Sequence, residues 1–580
     1  MSEKSYPTLS LCMIVKDEEE FLPRCLESVK DVVDEMVIVD TGSTDRTVEI
    51  AEAYGAKVYS HPWRDSFSEA RNYGLQFATG DWILQLDADE ELAREDALIL
   101  KEILRTVDKV PEVNAIFVAI HNIFKGGVAK HYFQRIFRRG HGHYEGIVHN
   151  QLVYEGYAAT SEIKVYHYGY DLSLERMERK FLRTSGLLHR HLKEHPEDTF
   201  SWSNLVRVYR SWKKFDRAVE IGEDAITRLR KLMAPSHWQM IAYDTAYSHM
   251  MSGNLDRAEE LCLEVLKDFP KNLDVLFTLA AIRMKQGRYQ EAIETFRDFL
   301  RARKEEYHKP RFSYLVVDSY GFEDRAWFNI GEAYRLMGQL TYAEEPYLLA
   351  IRNNPKMGLY YRNLAALYSH LGRINDQISA LRWAQEEGIE ERWVFWELGF
   401  AYWRKGDLPK AEETYREGLS KNPDDPDMDN ALAQVLLYLG RTGEAEEILQ
   451  RALEGNQGHI GLWITLGLLS AHRGDRDRVT EVVEKVEAMN PPCGVYRDLG
   501  KLCRAVGEWE KGAELLERYL PEQPRDVEAL TELASCYAQM GRYRAALEGY
   551  KAAAKIDPRH PGIKEEIQAL GRMIRGIALR

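Results

Sequence analysis

Asp87 and Asp89 are the side chains best placed to do chemistry, in the stretch SEARNYGLQFATGDWILQLDADEEL from Ser68 to Leu92. The stretch reads as an amphipathic helix, a tight turn at Gly80 and a short apolar strand ending in Asp87-Ala88-Asp89. Side chains alternate across a strand, so both carboxylates would face one way at its carboxyl end. In open α/β sheets that is where ligands bind. Two carboxylates there repel each other, and an oxygen-preferring divalent cation, Mn or Mg, is the natural neutraliser. The plainer alternative is a solvated acidic turn, since Glu90 and Glu91 follow directly.

The elements that must position this pair begin at the N-terminus. LSLCMIVKDEEEFLPRCLESV is an apolar strand, a charged loop at Lys16–Glu18 and a helix. DEMVIVDTGSTDRTVEIAEAYG repeats the pattern, with a strand ending at Asp40 and a helix that Ser43 or Thr44 could cap. KVYSH and WILQLDADE are a third and a fourth strand. Strands alternating with helices indicate βαβ units and a parallel sheet. Right-handed crossovers would then bring Asp40 and Asp87 to one rim.

The segments MIVKDEE, VDTGSTDRT, ARNYGLQFATGDWILQLDADE and RIFRRGHGHYEGIVHNQL, in that order, resemble glycosyltransferase family 2. These are inverting sugar transferases of the α/β GT-A fold that use nucleotide-sugar donors, and the nearest resemblance is to members joined to tetratricopeptide repeats. It covers roughly residues 10–170. Asp17 departs from the family's more frequent Asn, and Asn150 stands where many relatives carry Glu.

The resemblance implies a role for each matching position. Val15, Glu18, Asp40, Arg71 and Asp87 would bind the donor: Asp40 its base or ribose, Arg71 its base or diphosphate, Asp87 its ribose or a metal-bound water. Asp89 would ligate the metal, which stabilises charge on the leaving nucleoside diphosphate. His167, in KVYHYGY, resembles the histidine that completes such a site. The alternatives are an Asx turn or helix cap for Asp40, a surface arginine for Arg71, and a core-edge histidine held by a backbone carbonyl for His167.

Inversion needs a base within hydrogen-bond reach of the acceptor. Glu145, in HYEGIVHNQL, is the choice, and Asp65, in WRDSFSEARN, its rival as base, substrate ligand or helix cap. His149 could orient the site or contact the diphosphate. Arg135, Arg138 and Arg139 could hold donor phosphates or an acidic acceptor, or form a solvated strand face.

From about Phe181 the chain changes character. Gly253, Gly287, Gly338, Gly372, Gly406, Gly440, Gly474, Gly507 and Gly541 recur every 34 residues, save one step of 51 and one of 33. Alanine follows many of them by five, and prolines close many units. Glycine at an interhelix turn, a small residue where helices meet and a terminal proline are the tetratricopeptide signature. An earlier unit carries Lys213 in the glycine slot. The expected organisation is a transferase domain over 1–180, about ten repeats over 181–562 and a capping helix over 563–580. The long step holds an insertion at 303–322. The aromatic cluster Trp383, Trp393, Trp396 and Trp403 reads as packing rather than a carbohydrate platform.

Composition narrows the rest. The 580 residues carry a net charge of −14, which argues against general nucleic-acid binding. No apolar run reaches 18 residues, the start lacks a signal peptide's apolar region, and six scattered cysteines form no C-x-x-C. A cytoplasmic protein is expected; peripheral membrane association and homodimerisation stay open. Its partners would be a nucleotide-sugar donor, a UDP-sugar by family frequency, and an acceptor held by the repeats. A protein or peptide acceptor is favoured over a cell-surface or lipid-linked glycan. A scaffold with a non-catalytic transferase domain is the alternative class. A nucleotidyltransferase is disfavoured because the loop at Val15–Glu18 has no glycine.

Overall fold

The run Leu9–Val15 (β1) buries every side chain but Ile14, which is half-buried. A near-continuous apolar strand is what a sheet covered on both faces requires. β2 (Glu35–Asp40), β3 (Lys57–Ser60) and β4 (Trp82–Gln85) follow, separated by helices α1 (Leu22–Val29), α2 (Thr47–Ala53) and α3 (Phe67–Leu75). β2 and β4 flank β1 in parallel, and β3 pairs in parallel with β2. α3 begins with a cap: the Ser66 hydroxyl accepts the Glu69 N–H at 3.2 Å. This computed structural model describes residues 6–124, 127–146, 150–168, 174–307, 318–319 and 321–578.

Beyond β4 lie β5 (Glu90–Leu92), α4 (Ala97–Val107), β6 (Val113–Phe124), β7 (Gly127–Arg138), the hairpin β8 (Gly142–Glu145) and β9 (Gln151–Tyr154), and β10 (Tyr157–His167). The main sheet has the order β3-β2-β1-β4-β7-β6-β10-β5. The expected parallel arrangement holds for its first four strands and fails at β7. That strand pairs directly with its sequence neighbour β6, which forces it antiparallel to β6 and to β4. β10 returns parallel to β6.

A second difference concerns Asp87 and Asp89. The strand expected to carry them stops at Gln85. The Asp87 N–H donates to the Glu90 carboxylate at 2.9 Å, and the Glu90 N–H donates to the Asp87 carbonyl at 3.0 Å. A tight turn results, so strand alternation does not set where the two carboxylates point.

Because β1, β2, β4, β6 and β10 run in one direction, Val15, Asp40, Gln85, Asn122 and His167 lie toward one rim. The opposite end is tied by Glu35, whose carboxylate accepts from Ser10 Oγ at 2.6 Å, Thr79 Oγ1 at 2.8 Å and Gly80 N at 3.2 Å. The turn at Gly80 needs glycine, since a Cβ there would come within 2.8 Å of the Ser10 backbone nitrogen.

Among the described residues nine helices follow in the same compact unit, Met1–Asn353. They are α5 (Leu174–Glu194), α6 (Thr199–Ser211), α7 (Phe215–Leu229), α8 (Pro235–Met251), α9 (Leu255–Asp268), α10 (Leu273–Lys285), α11 (Tyr289–Tyr307), α12 (Glu323–Leu336) and α13 (Leu340–Asn353). The sheet domain joins them through Trp63 and Phe67, which pack on a core of Phe181, Leu187, Leu188 and Leu205. The second unit, Asn354–Arg580, holds six helix pairs between Gly358 and Ile556 and a closing helix Ile563–Ala578. The periodic glycines adopt φ between 70° and 87°, and Lys213 adopts 53° in the same slot. The alanines at 258, 292, 343, 411, 445 and 546 are fully buried. Among the described residues no helix is long and apolar enough to cross a membrane.

Burial alone would raise the Glu35 pKa, but hydrogen bonds from Ser10, Thr79 and Lys57 hold it at about 2, below the ordinary 4.5. Its folded pKa is depressed, so its contribution is complete above pH 4.5 and is lost as pH falls toward 2. Glu35→Gln should cost roughly 1–3 kcal/mol at neutral pH and flatten the acid decline in stability over that window. Denaturation of the full chain across pH checks this. An unaltered acid decline would assign the sensitivity to other carboxylates.

Candidate active site

Asp87 is held from two sides. Arg71, on α3, donates Nη2 to Asp87 Oδ1 at 2.7 Å, and Arg135, on β7, approaches Oδ2 at 3.2 Å. Arg135 also pairs with Glu90, whose side chain is only 1% exposed, and donates to the Gln85 side chain. Burial would raise the Asp87 pKa, yet the two guanidinium groups hold it well below the ordinary carboxylate range. Glu90 is shifted the other way, because burial outweighs Arg135 and the nearby Asp87 charge adds to it. Two of Arg71's nitrogens, Nε and Nη1, are buried without a protein partner, and its guanidinium lies 5.4 Å from the Tyr144 ring centre.

Asp89 turns to different partners. Its Oδ2 is 3.3 Å from His167 Nε2, and His167 Nδ1 is 2.8 Å from Asn122 Oδ1. Asn122 is the register partner of His167 in the β6–β10 pairing. The Asn122 amide beside Nδ1 fixes the ring so that Nε2 faces Asp89, the kind of outer contact that commonly orients a ligating histidine. Burial opposes the imidazolium, but the Asp89 carboxylate outweighs it and the His167 pKa lies above its usual value.

One carboxylate oxygen and one imidazole nitrogen form a mixed donor pair of the kind divalent cations accept. Among the described residues no group of three His, Cys, Asp or Glu converges on such a site. Asp89 and His167 are the two residues that would hold a divalent cation, with water and substrate phosphates supplying the rest of its ligands.

The loops that follow β1 and β2 are locked to each other. The Asp17 N–H donates to Ser43 Oγ at 3.0 Å, its carboxylate accepts the Thr44 N–H at 2.7 Å, and the Glu18 N–H reaches Thr47 Oγ1 at 2.7 Å. Glu18 also lends its carbonyl to Phe21 and Leu22, opening α1. The Val15 carbonyl accepts both Thr41 N–H and Oγ1 at 3.0 Å. Buried Asp40 accepts from Gly42 N at 3.2 Å and Ser43 N at 3.0 Å, an Asx-type turn that fixes its carboxylate at the rim.

Glu145 closes β8 with its side chain 65% exposed, 3.0 Å from His143 Nε2. Its strand is pinned by α3. Asn72 donates to the Tyr144 carbonyl and accepts the Tyr144 N–H, both at 2.8 Å, and Ser68 Oγ bonds the Gly146 carbonyl. The helix that aims Arg71 thus also sets Glu145. Asp65 has a left-handed φ of 60° and both oxygens engaged, by Trp63 Nε1 at 2.9 Å and Arg190 at 2.7 Å. His149 lies outside the described residues.

Arg138 lies away from the rim that carries Asp87. It sits opposite Trp82, at the amino end of β4, paired with Asp108 at 2.7 Å and stacked 4.6 Å from the Trp82 ring centre. Arg139 donates to the Gly80 carbonyl at that same end. Sequence reading passed over Gln85, Glu90, Asn122 and Asn72. Gln85 was visible as the one polar residue of an otherwise apolar strand; Glu90 was masked by its likeness in sequence to Glu91.

The model of glycosyl transferase family 2 matches residues 10–151, and tetratricopeptide repeat models match 249–309, 324–357, 397–460 and 497–561. A TPR repeat-containing protein of Synechococcus elongatus is 32% identical over 361 residues, spanning 60% of this chain and 76% of that one. The chain belongs to glycosyltransferase family 2, joined to tetratricopeptide repeats. A prophage-derived glycosyltransferase of Bacillus subtilis, SunS, is 26% identical over 286 residues, 48% of this chain and 67% of that one. An uncharacterized glycosyltransferase of Rickettsia bellii is 42% identical over 95 residues, 16% of this chain and 32% of that one.

Arg135→Met would strand Glu90 as an unpaired buried charge and should destabilise the fold by about 3–5 kcal/mol. Adding Glu90→Gln should restore much of that loss. Denaturation of the two variants decides it: equal instability would mean that the ion pair does not carry the effect.

Proposed function

We propose that this glycosyltransferase moves a sugar, with inversion, from a UDP-sugar to a protein or peptide acceptor held by the repeats. In this reading a divalent cation sits at Asp89 and His167. The observation that carries it is the Asp89–His167 pair, 3.3 Å apart, beside an Asp87 whose charge is already taken up by two arginines. When bound, the cation would serve as a Lewis acid toward the leaving diphosphate.

The protein's own groups divide the remaining work. The two unpartnered buried nitrogens of Arg71 offer donors to a diphosphate or base. Each Asp40 oxygen takes one backbone N–H and keeps a lone pair for a base N–H or ribose hydroxyl. Glu145 accepts the acceptor's proton; its exposure on the hairpin suits a group that must meet a large incoming chain. Asp65 is the weaker base, because both its oxygens are committed to Trp63 and Arg190. Repeat arrays present extended surfaces to extended chains, which supports a peptide acceptor.

Asp89→Asn should keep the fold and lose most turnover, a loss of several kcal/mol in barrier terms, and chelation of the wild type should reproduce it. Full activity in chelator would remove the cation from the scheme. Glu145→Gln should bind donor normally and transfer at least ~10²-fold more slowly. An active Glu145→Gln beside an inactive Asp65→Asn, assayed by donor turnover and donor binding together, would move the base to Asp65.

A further inference from the structure

Away from the sheet rim, the first repeats carry a cluster of buried charges that sugar transfer does not use. α6 lies against α8, and α8 against α10. Asp244, fully buried on α8, pairs with Arg207 at 3.2 Å and Arg210 at 2.6 Å, both on α6. Two arginines on one aspartate leave a positive seat. Beside it, on α10, Asp274 is 7% exposed.

What fills the seat is a two-residue turn of the chain's own insertion. The Asp318 carboxylate accepts from Arg210 Nη2 at 2.7 Å and from the Tyr243 hydroxyl at 3.2 Å. Asp274 accepts the Asp318 N–H at 3.2 Å, the Ser319 N–H at 2.7 Å and the Ser319 hydroxyl at 2.6 Å. Ser319 is 2% exposed. Phe322 follows and packs edge-on against Phe277 of α10, 5.1 Å between ring centres. These contacts read a carboxylate, the next hydroxyl and two backbone amides, and then an aromatic ring. Any chain presenting an acidic residue followed by serine in a turn offers the same groups. Asp274 emptied of its donors would be a buried carboxylate without compensation, so the seat favours being filled.

We propose that the face formed by α6, α8 and α10 is a peptide-binding site for an Asp-Ser turn, and that Asp318–Ser319 occupies it in cis as an internal competitor. The proposal extends the reading that the repeats grip a peptide acceptor, and it gives that grip a sequence preference. A tethered competitor acts at an effective concentration in the millimolar range, so it suppresses a free peptide of micromolar affinity by ten-fold or more. Arg210 supplies the charge-assisted bond to the carboxylate, the contact expected to dominate selectivity for Asp over Asn.

The test uses the full chain, with neither donor nor metal, so it stands or falls apart from the sugar-transfer reading. The probe is a fluorescein-labelled peptide carrying Asp-Ser-Tyr-Gly-Phe, followed by anisotropy. The double variant Asp318→Ala, Ser319→Ala should bind it at least ten-fold more tightly than the wild type. An Asn-Ser peptide should bind that variant at least ten-fold more weakly, and adding Arg210→Gln should abolish binding of both. Equal binding by the wild type and the double variant, or indifference to Arg210→Gln, would overturn the proposal. Should the double variant fail to fold, hydrogen exchange of the wild type in millimolar peptide takes its place. Faster exchange at the Ser319 amide supports displacement, and an unchanged rate overturns it.

Discussion

The rim of the sheet depends on one charge network: Arg71 and Arg135 against Asp87 and Glu90. Two guanidinium groups face two carboxyl groups there without any ligand, at the end of a largely apolar strand. The price is geometric. Arg135 must arrive from a strand running against β4, and β7 does so because it pairs with β6. With Asp87 spoken for, the negative charge left over in the Asp87–Asp89 turn is that of Asp89, which faces an imidazole rather than a guanidinium. On the proposed reading, a divalent cation and a diphosphate would enter beside this network, at Asp89 and His167.

The helix α3 turns that network into a positioning device. Phe67, Ser68, Arg71 and Asn72 leave it in four directions: into the core shared with α5 and α6, to the Gly146 carbonyl, to Asp87, and to the backbone of Tyr144. A shift of this helix would move Arg71, the hairpin bearing Glu145 and the contact with the first repeats at once. The Asp65–Arg190 ion pair adds a surface tie between the loop before α3 and α5; as an exposed pair it contributes little to stability and mainly limits relative motion.

Much of this arrangement is legible in the sequence. Asp40, Asp87, Asp89 and His167 stand at or just beyond the ends of short apolar runs, and a strand end is a position that hydrophobic pattern reveals well. The repeats were readable because their period is enforced by a left-handed turn, which even Lys213 adopts when glycine is missing. Unreadable features were those set by long-range pairing. Glu90 and Glu91 look alike in sequence, and only the arrival of β7 and β10 buries the first. Arg135 and Arg138 are three residues apart, roughly 10 Å along an extended strand. Which of them reaches the rim depends on the direction of β7, and local pattern carries no information about direction.

The same limit explains the self-filled seat in the repeats. The step of 51 residues marks an insertion, but its sequence does not say that Asp318 and Ser319 return to helices whose buried aspartates lie some 45 and 75 residues earlier. Asp244 and Asp274 would look like errors in isolated amphipathic helices, since a carboxylate on a packing face costs stability unless it is paired. Two arginines answer the first, and the backbone of the insertion answers the second. A helix face that keeps unfavourable charge and satisfies it with a short polar turn is what the proposed peptide site requires. Burying hydrocarbon there would have stabilised the repeats more simply.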